Sequence, residues 1–208
     1  MLFLHQNTIR YMFELPLAHV PGTKFNYSTG DSILISYAIR NSFHGDVNKY
    51  LKFPWTALFD RIGMKSAVFE QDAARMFLGG TNLYATPRDW ARFGLLYLQK
   101  GIWNAQRIIS PSWIDYTRKS TTYASKDSKF FGAHFWLVDP RKAQNKGIPL
   151  DTYLAAGFKG QTIFIIPSRD LVVVRMGWTE EENYMHYDIL EAITKVQITY
   201  RDKSLPKE

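Results

Sequence analysis

The segment from residue 21 to residue 32 contains a tyrosine, Tyr27, beside small polar residues. Pro21 and Gly22 favour a turn, and Phe25 is placed to anchor that turn in a core. The polar residues after Tyr27 are of the types that cap a helix, so the segment presents a phenol at a helix entrance. A phenol, whose pKa is about 10, can relay a proton when a neighbouring ammonium group stabilises its charged form.

A second informative passage, residues 157–161, reads Gly-Phe-Lys-Gly-Gln and lies between two extended runs. Gly160 allows a ligand to approach the backbone closely, because glycine has no side chain. Read as a continuous strand, the passage places Lys159 on the opposite face from Phe158. The alternative interpretation is a strand whose glycines only accommodate a neighbouring aromatic ring.

Together, these two passages resemble motifs of the serine β-lactamase and penicillin-binding-protein family, especially its class C-related esterases and amide hydrolases. In that family a Ser-x-x-Lys motif, a Tyr-x-Asn loop and a Lys-Thr-Gly or His-x-Gly strand meet at one cleft. The resemblance implies that Tyr27 is a general base or proton shuttle. Thr29 stands where many relatives carry the asparagine that orients the substrate. The alternative for Tyr27 is an aromatic residue that fastens a loop to the core.

Residues 158–160 occupy the place of the third motif. Relatives usually carry Lys or His at the position of Phe158, so this sequence lacks a polar group that helps to hold a substrate carboxylate. Gly160 retains the close backbone approach. The resemblance further implies that the backbone N–H of Gln161 is one of two oxyanion-hole donors, and one such donor is worth roughly 3–4 kcal/mol in the transition state.

The nucleophile motif is the part of the family pattern that this sequence does not show. A Ser-x-x-Lys occurs at residues 204–207, but it contains a proline and follows all the predicted elements. We therefore expect the chain, over about residues 15–195, to be the C-terminal portion of the family fold, without the N-terminal strands and the nucleophile helix. Alone, it is expected to be inactive.

Two functions are compatible with these residues. The preferred one is a serine hydrolase that cleaves a small amide or ester substrate through an acyl-enzyme, with the serine outside this sequence. The other is a non-catalytic binding module that keeps the cleft for a peptide, a cell-wall ligand or a protein partner. The aromatic residue at position 158 favours the second interpretation.

The elements that would position these residues follow from hydrophobic periodicity. The pattern predicts helices at residues 8–15, 32–42, 49–62, 87–99 and 183–197, a short helix after Ser110, and strands at 131–138, 153–158, 161–166 and 171–177. Pro54 is expected near a first helical turn, and Thr86 is expected to cap the helix that begins at Pro87. Strands that follow helices indicate an α+β fold with an antiparallel sheet flanked by helices. Residues 1–200 are predicted to form a single domain, and residues 201–208 a loose tail.

Composition and charge indicate which classes of partner and cofactor the chain is expected to bind. The 208 residues are 46% hydrophobic and carry a formal net charge of +7. The basic residues are scattered, and without a recognisable reading element we expect no nucleic-acid partner. The densest basic group comprises Arg118, Lys119, Lys126, Lys129, Arg141, Lys142 and Lys146. There is no cysteine, and the five histidines show no metal-binding spacing, so neither a metal nor another cofactor is expected.

The compartment is left open by the sequence. No apolar run approaches the ~20 residues that span a bilayer, and the first residues show no export signal. The expected location is the periplasm or cell envelope if a signal peptide lies upstream, and the cytoplasm otherwise. A missing strand pair would leave a sheet edge uncovered, so self-association of the chain is expected.

Overall fold

A computed structural model describes residues 5–121, 130–179 and 186–196 of the chain. The first half is mainly helical. Its helices are α1 (Thr8–Glu14), α2 (Thr29–Asn41), α3 (Val47–Pro54), a π-helical segment (Trp55–Phe59), α4 (Asp60–Ile62), α5 (Pro87–Leu98) and α6 (Pro111–Thr117). Two small antiparallel pairs lie between them, β1 (Val68–Phe69) with β2 (Leu83–Tyr84) and β3 (Ile102–Trp103) with β4 (Gln106–Arg107).

The second half forms a four-stranded antiparallel sheet with two helices. The strands are β5 (Trp136–Leu137), β6 (Tyr153–Ala156), β7 (Thr162–Ile166) and β8 (Leu171–Arg175), and their spatial order is the order of the chain. Helix α7 (Pro140–Asn145) connects β5 to β6, and α8 (His186–Lys195) follows β8. The predicted α+β class, the antiparallel sheet and the β7–β8 hairpin are confirmed. The predicted tail at residues 201–208 lies outside the described residues.

Side chains alternate between the two faces of the sheet along each strand. Helices cover both faces, so both sets of side chains are buried. Ile163 and Ile165 face α5 and α6, where they pack with Tyr97 and Ile114. The other face packs against α7 and α8 through a second set that includes Leu154, Phe164, Ile166, Ala143 and Leu190. The sheet is thus the middle of three layers.

Gly94 explains how closely α5 approaches the sheet. A Cβ atom at this position would lie 2.6 Å from a methyl group of Val172 and 3.0 Å from one of Ile163. The helix therefore rests directly on β7 and β8.

The helical half has its own core between α1, α2 and α3. Ile9, Ile33 and Tyr50 are buried there with Met76 and Phe77. The Tyr50 hydroxyl accepts a hydrogen bond of 3.0 Å from the backbone N–H of Phe77, so the core is tied to the chain that leads to residues 79–80.

The predicted helical stretch over residues 49–62 is present, but the prediction that Pro54 lies near its first turn is wrong. Helix α3 begins earlier, after the N-cap Asp46, and Pro54 is its last residue. Proline lacks the N–H that an α-helix needs at this point, and the backbone continues as a π-helical turn over Trp55–Phe59 before α4.

The prediction of a strand over residues 131–138 also needs correction. Gly132 donates a backbone hydrogen bond to the carbonyl of Phe135, and Phe131 pairs with Trp136 across a tight reversal. His134 has φ 61°, in the left-handed region, which is incompatible with an extended strand. Regular pairing is confined to β5.

A third correction concerns residues 157–161. Strand β6 ends at Ala156, and Phe158–Gly160 forms a 3₁₀ turn that leads into β7. Lys159 has φ 56°, so the alternation of a strand does not apply to it, and the prediction of its direction is wrong for that reason.

Strand β8 lies at one end of the sheet and is paired only with β7 within the described residues. The expected self-association stays a prediction. None of the helices in the described ranges is long and apolar enough to cross a membrane.

Candidate functional site

A cavity of about 320 Å³ lies between the start of α2 and the end of β6. Its walls come from the loop before α2, the glycine pair at 79–80, the reversal before β5, and β6. The lining residues are Phe25, Asn26, Tyr27, Ser28, Thr29, Asp31, Ser32, Ile35, Gly79, Gly80, Phe131, His134, Trp136, Ala155 and Ala156. Two of the five residues predicted for the site, Tyr27 and Thr29, are among them.

The start of α2 positions the phenol. Ser28 is the N-cap, and its hydroxyl accepts hydrogen bonds from the backbone N–H groups of Gly30 at 3.0 Å and Asp31 at 3.4 Å. Tyr27 directly precedes this cap and is 62% exposed. Thr29 is the first residue of the helix. The predicted phenol at a helix entrance is confirmed, although the helix begins three residues earlier than predicted.

The glycine pair brings another stretch of backbone against α2. A Cβ atom at Gly79 would lie 2.1 Å from the Ser36 hydroxyl oxygen and 2.9 Å from the Ser32 carbonyl oxygen. A Cβ atom at Gly80 would lie 2.8 Å from the methyl group of Thr29. Since no side chain fits at either position, these two glycines allow the backbone at residues 79–80 to lie directly against α2.

An aromatic cluster forms the neighbouring wall. The ring of Tyr27 lies 5.5 Å from that of Phe131 and 5.3 Å from that of Trp136, measured between centroids. Phe131 also contacts Phe25, at 5.3 Å. The ring of Tyr27 therefore packs on the reversal before β5, as a fastening residue would, while most of the side chain stays exposed.

The sheet contributes Ala155 and Ala156, the last two residues of β6. The other three predicted residues, Phe158, Gly160 and Gln161, lie in the turn that follows and do not line the cavity. The structure thus brings Tyr27 to the strand that leads into this turn. The assigned roles of these residues stay predictions.

Hydrogen bonds hold the turn to the chain after β8. The side-chain amide of Gln161 donates to the Gly177 carbonyl and accepts from the Gly177 N–H at 3.1 Å. The Arg175 guanidinium donates to the Gly160 carbonyl at 2.7 Å, and the Thr179 N–H donates to the Lys159 carbonyl at 3.1 Å. The turn is therefore fixed by polar contacts rather than by a buried side chain.

The backbone N–H of Gln161, the predicted oxyanion donor, points within the turn. It donates a long hydrogen bond of 3.5 Å to the carbonyl of Phe158. An oxyanion would have to replace this acceptor.

Phe158 is 74% exposed and lies edge-on to Trp178, which is 67% exposed, with 5.7 Å between ring centroids. The ammonium group of Lys159 lies 5.5 Å from each ring centroid. The position at which the resemblance leads one to expect Lys or His is here an exposed aromatic contact stabilised by a cation.

Sequence reasoning missed His134 and Trp136 as cavity residues, and also Asp31 and Ser32. The only local signal is the Gly-Ala dipeptide before His134, which interrupts the extended run. Their place beside Tyr27 depends on long-range packing.

The carboxylate of Asp89 supports the scaffold. It accepts hydrogen bonds from the Ser66 N–H at 2.8 Å and the Ser66 hydroxyl at 2.6 Å, and it pairs with Arg92 at 2.6 Å. Burial raises the pKa of Asp89, but the Ser66 hydrogen bonds and the Arg92 charge outweigh burial and hold the pKa below its ordinary value. No group of three or more His, Asp or Glu in the described ranges is arranged to hold a metal ion.

The model of the Beta-lactamase family matches residues 3–192. The match covers most of the sequence, and the chain belongs to this family. The α+β fold described above agrees with that membership. No curated protein matches the sequence.

Solved structures share the fold. A protein from Bacillus anthracis described as a 6-aminohexanoate-dimer hydrolase superposes with a TM-score of 0.74 at 21% identity, over 90% of this chain and 47% of its own. A protein from Bacteroides dorei described as a beta-lactamase gives 0.64 at 15% identity, over 85% and 57%. A beta-lactamase from Mycobacterium bovis gives 0.61 at 16% identity, over 85% and 64%. The chain therefore spans about half to two thirds of the length of these proteins.

Proposed function

We propose that this chain is part of a serine hydrolase that cleaves amide or ester bonds through an acyl-enzyme, with Tyr27 as the proton-relay residue. The observation that carries the proposal is the position of Tyr27, at a capped helix start on the wall of a cavity that the sheet also lines. Family membership supplies the reaction class.

In this proposal the nucleophile is the serine of a Ser-x-x-Lys motif outside the 208 residues. Its Oγ bonds to the carbonyl carbon of the substrate, and its proton passes to the Tyr27 oxygen, whose charged form the motif's lysine stabilises. The proton then goes to the leaving nitrogen or oxygen as that bond breaks. Water then attacks the acyl carbon as its proton passes to the Tyr27 oxygen. The bond between this carbon and the serine Oγ breaks, the proton returns to that Oγ, and the acid product leaves.

The remaining predicted residues take supporting roles. Thr29, at the first position of α2, contacts the substrate through its hydroxyl. The Gln161 N–H donates to the oxyanion once it releases the Phe158 carbonyl, and Gly160 leaves room for the substrate backbone. These roles rest on the family resemblance together with the position of the turn at the end of β6.

The substrate class includes linear amides. The name of the B. anthracis protein refers to such a compound, and that protein shares the fold at 21% identity. Phe158 in place of a polar residue disfavours substrates that depend on a carboxylate contact at this position.

The test begins with the coding DNA upstream of Met1, where the proposal predicts an in-frame Ser-x-x-Lys. The longer polypeptide should be labelled covalently by a serine-reactive fluorophosphonate, and the 208-residue chain should not. Tyr27→Phe in the longer polypeptide should slow labelling about 100-fold or more, as loss of a general base does. Tyr116→Phe, at an exposed tyrosine outside the cavity, is the matched control. Unchanged labelling of Tyr27→Phe would remove this residue from the mechanism.

A second candidate function, a non-catalytic binding module, is favoured by two observations. Phe158 is an exposed aromatic residue, and the Gln161 N–H is already bonded to the Phe158 carbonyl. This candidate predicts that no Ser-x-x-Lys is encoded upstream and that the 208-residue chain binds a peptide or cell-wall fragment saturably without cleaving it.

A further inference from the structure

The peptide group between Gly160 and Gln161 is held from its carbonyl side. The Arg175 guanidinium donates a hydrogen bond of 2.7 Å to the Gly160 carbonyl, and the Thr162 hydroxyl donates one of 3.2 Å to the same oxygen. Gly160 is buried and Arg175 is half-buried, so this contact lies partly out of water. The N–H of the same peptide group belongs to Gln161, the proposed oxyanion donor.

Holding the carbonyl also sets the direction of the N–H. All peptide bonds in the described part of the chain are trans. A trans peptide group is planar, and its N–H points away from its C=O. With the carbonyl directed at Arg175, the Gln161 N–H therefore leaves the opposite edge of the peptide plane. Its acceptor there is the Phe158 carbonyl at 3.5 Å, a distance longer than a strong hydrogen bond allows.

The backbone next to this peptide group needs such a restraint. Lys159 and Gly160 have φ 56° and 85°, so two successive residues lie in the left-handed region, which is disfavoured for a non-glycine residue. The sheet places Arg175 beside them, because Arg175 of β8 is the register partner of Thr162 of β7. The guanidinium also donates to the Thr179 hydroxyl at 2.5 Å. One side chain thus ties the turn to the end of β8 and to the chain beyond it.

The positive charge of Arg175 acts on the donor as well. A hydrogen bond from a cation to a carbonyl is stronger than one from a neutral group. Such a bond polarises the peptide group that accepts it, which makes the N–H at the other end a better donor. The Gln161 N–H is therefore both directed and strengthened by the same side chain.

We propose that Arg175 is a positioning residue of the oxyanion hole. It fixes the peptide group so that the Gln161 N–H meets the negative oxygen that forms on the substrate. This inference rests on the proposed hydrolase function and adds to it a residue that contacts neither the substrate nor the reacting atoms. A guanidinium suits the role because it donates to the Gly160 carbonyl and the Thr179 hydroxyl at once.

The first test uses the 208-residue chain and needs no nucleophile. Arg175→Met keeps an unbranched side chain and removes the guanidinium. We expect the NMR order parameter of the Gln161 amide to fall from about 0.85, the value of a rigid backbone, toward about 0.6. Arg40→Met is the matched control, since Arg40 donates a bond of 2.9 Å to the Ala74 carbonyl, at the far end of α2 from Tyr27, and it should leave this amide unchanged. An unchanged order parameter in Arg175→Met would overturn the inference.

The second test uses the longer polypeptide with its Ser-x-x-Lys and measures fluorophosphonate labelling against reagent concentration. Negative charge on the phosphoryl oxygen develops only as the serine–phosphorus bond forms. Arg175→Met should therefore lower the maximal labelling rate about tenfold or more and change the half-saturating concentration by no more than about twofold. A merely structural role would reduce the amount of labelled protein instead of the rate. Arg40→Met should keep the rate.

The outcomes separate this inference from the proposed function. If the unchanged longer polypeptide is not labelled, the hydrolase proposal fails and the role of Arg175 fails with it. If it is labelled, and Arg175→Met reaches the same maximal rate, only the role of Arg175 fails.

Thr162→Val decides the question if Arg175→Met does not fold. It is nearly isosteric and removes the other side-chain donor to the Gly160 carbonyl. The maximal labelling rate should fall several-fold, because the same peptide group loses part of its restraint. An unchanged rate in this variant would contradict the inference.

Discussion

The two sides of the Tyr27 cavity are held in place by different forces. On the helical side, Gly79 and Gly80 bring backbone against α2 so closely that no Cβ atom fits. On the sheet side, the turn after β6 is fixed by hydrogen bonds between the Gln161 side chain and Gly177 and from Arg175 to the Gly160 carbonyl. The first side depends on excluded volume, and the second depends on polar geometry. The position of Tyr27 should therefore be sensitive to added atoms, and the turn to lost donors and acceptors.

The largest effect is expected from Gly79→Ala. The new methyl group would lie 2.9 Å from the Ser32 carbonyl oxygen and 2.1 Å from the Ser36 hydroxyl oxygen, so α2 must shift. Overpacking of this kind should lower the free energy of unfolding by about 1–3 kcal/mol, measured by urea denaturation.

Gly177→Ala is the matched control on the sheet side. A Cβ atom there would have its nearest contact at 3.7 Å, which is an ordinary distance. Its unfolding free energy should stay within about 0.5 kcal/mol of the unchanged chain. Equal losses in the two alanine variants would mean that excluded volume does not distinguish the two sides.

A smaller effect is expected from Gln161→Met, which keeps the length of the side chain but removes both hydrogen bonds to Gly177. The free energy of unfolding should fall by about 1 kcal/mol. Hydrogen exchange should accelerate at the Gly177 amide, while the Gly30 and Asp31 amides, which Ser28 caps, keep their rates. Gln144→Met, at an exposed position of α7, should change neither quantity. Faster exchange at Gly30 would show that the two sides are mechanically coupled.

The smallest effect concerns α8, which supports the sheet from behind. Hydrogen bonds from Lys146 and Lys195 lower the pKa of Glu191 to about 2. Because the unfolded pKa is about 4.3, the stabilising contribution of Glu191 is complete above that value and is lost as the pH falls toward 2. The urea midpoint should decline over this range, and Glu191→Gln should make the decline shallower.

Lys146→Met, which removes the main partner of Glu191, should flatten the same pH profile. Neither variant should alter the amides at the start of α2. If the decline below pH 4.3 is as steep in Glu191→Gln as in the unchanged chain, the ion pairs on α8 do not account for it.

Local signals in the sequence were sufficient for many elements. Thr86 and Ser110, each followed by proline, were recognisable as helix starts, and both cap their helices in the structure. The β7–β8 hairpin followed from two β-rich runs separated by a short turn. The phenol of Tyr27 was found because its neighbours are turn and capping residues.

The missed features depend on contacts between distant residues. His134 and Lys159 have left-handed backbone angles, which non-glycine residues rarely adopt and which their neighbours in the sequence do not announce. The Lys159 carbonyl is held by the Thr179 N–H, twenty positions away along the chain. Trp136 reaches Tyr27 only because the chain reverses before β5. Periodicity reports which face of an element is buried, but not which distant element meets it.

The junction between Tyr27 and Ser28 has a consequence for variation in the preceding loop. Ser28 is the N-cap of α2, and Tyr27 is the residue before it in the chain. The Cα atom of Tyr27 therefore lies one peptide unit from the N-cap, whatever the length of the preceding loop. Residues 17–24 can therefore change in length without separating the Cα atom of Tyr27 from the start of α2. A single-residue insertion between positions 27 and 28, in contrast, would move the tyrosine away from the N-terminus of α2.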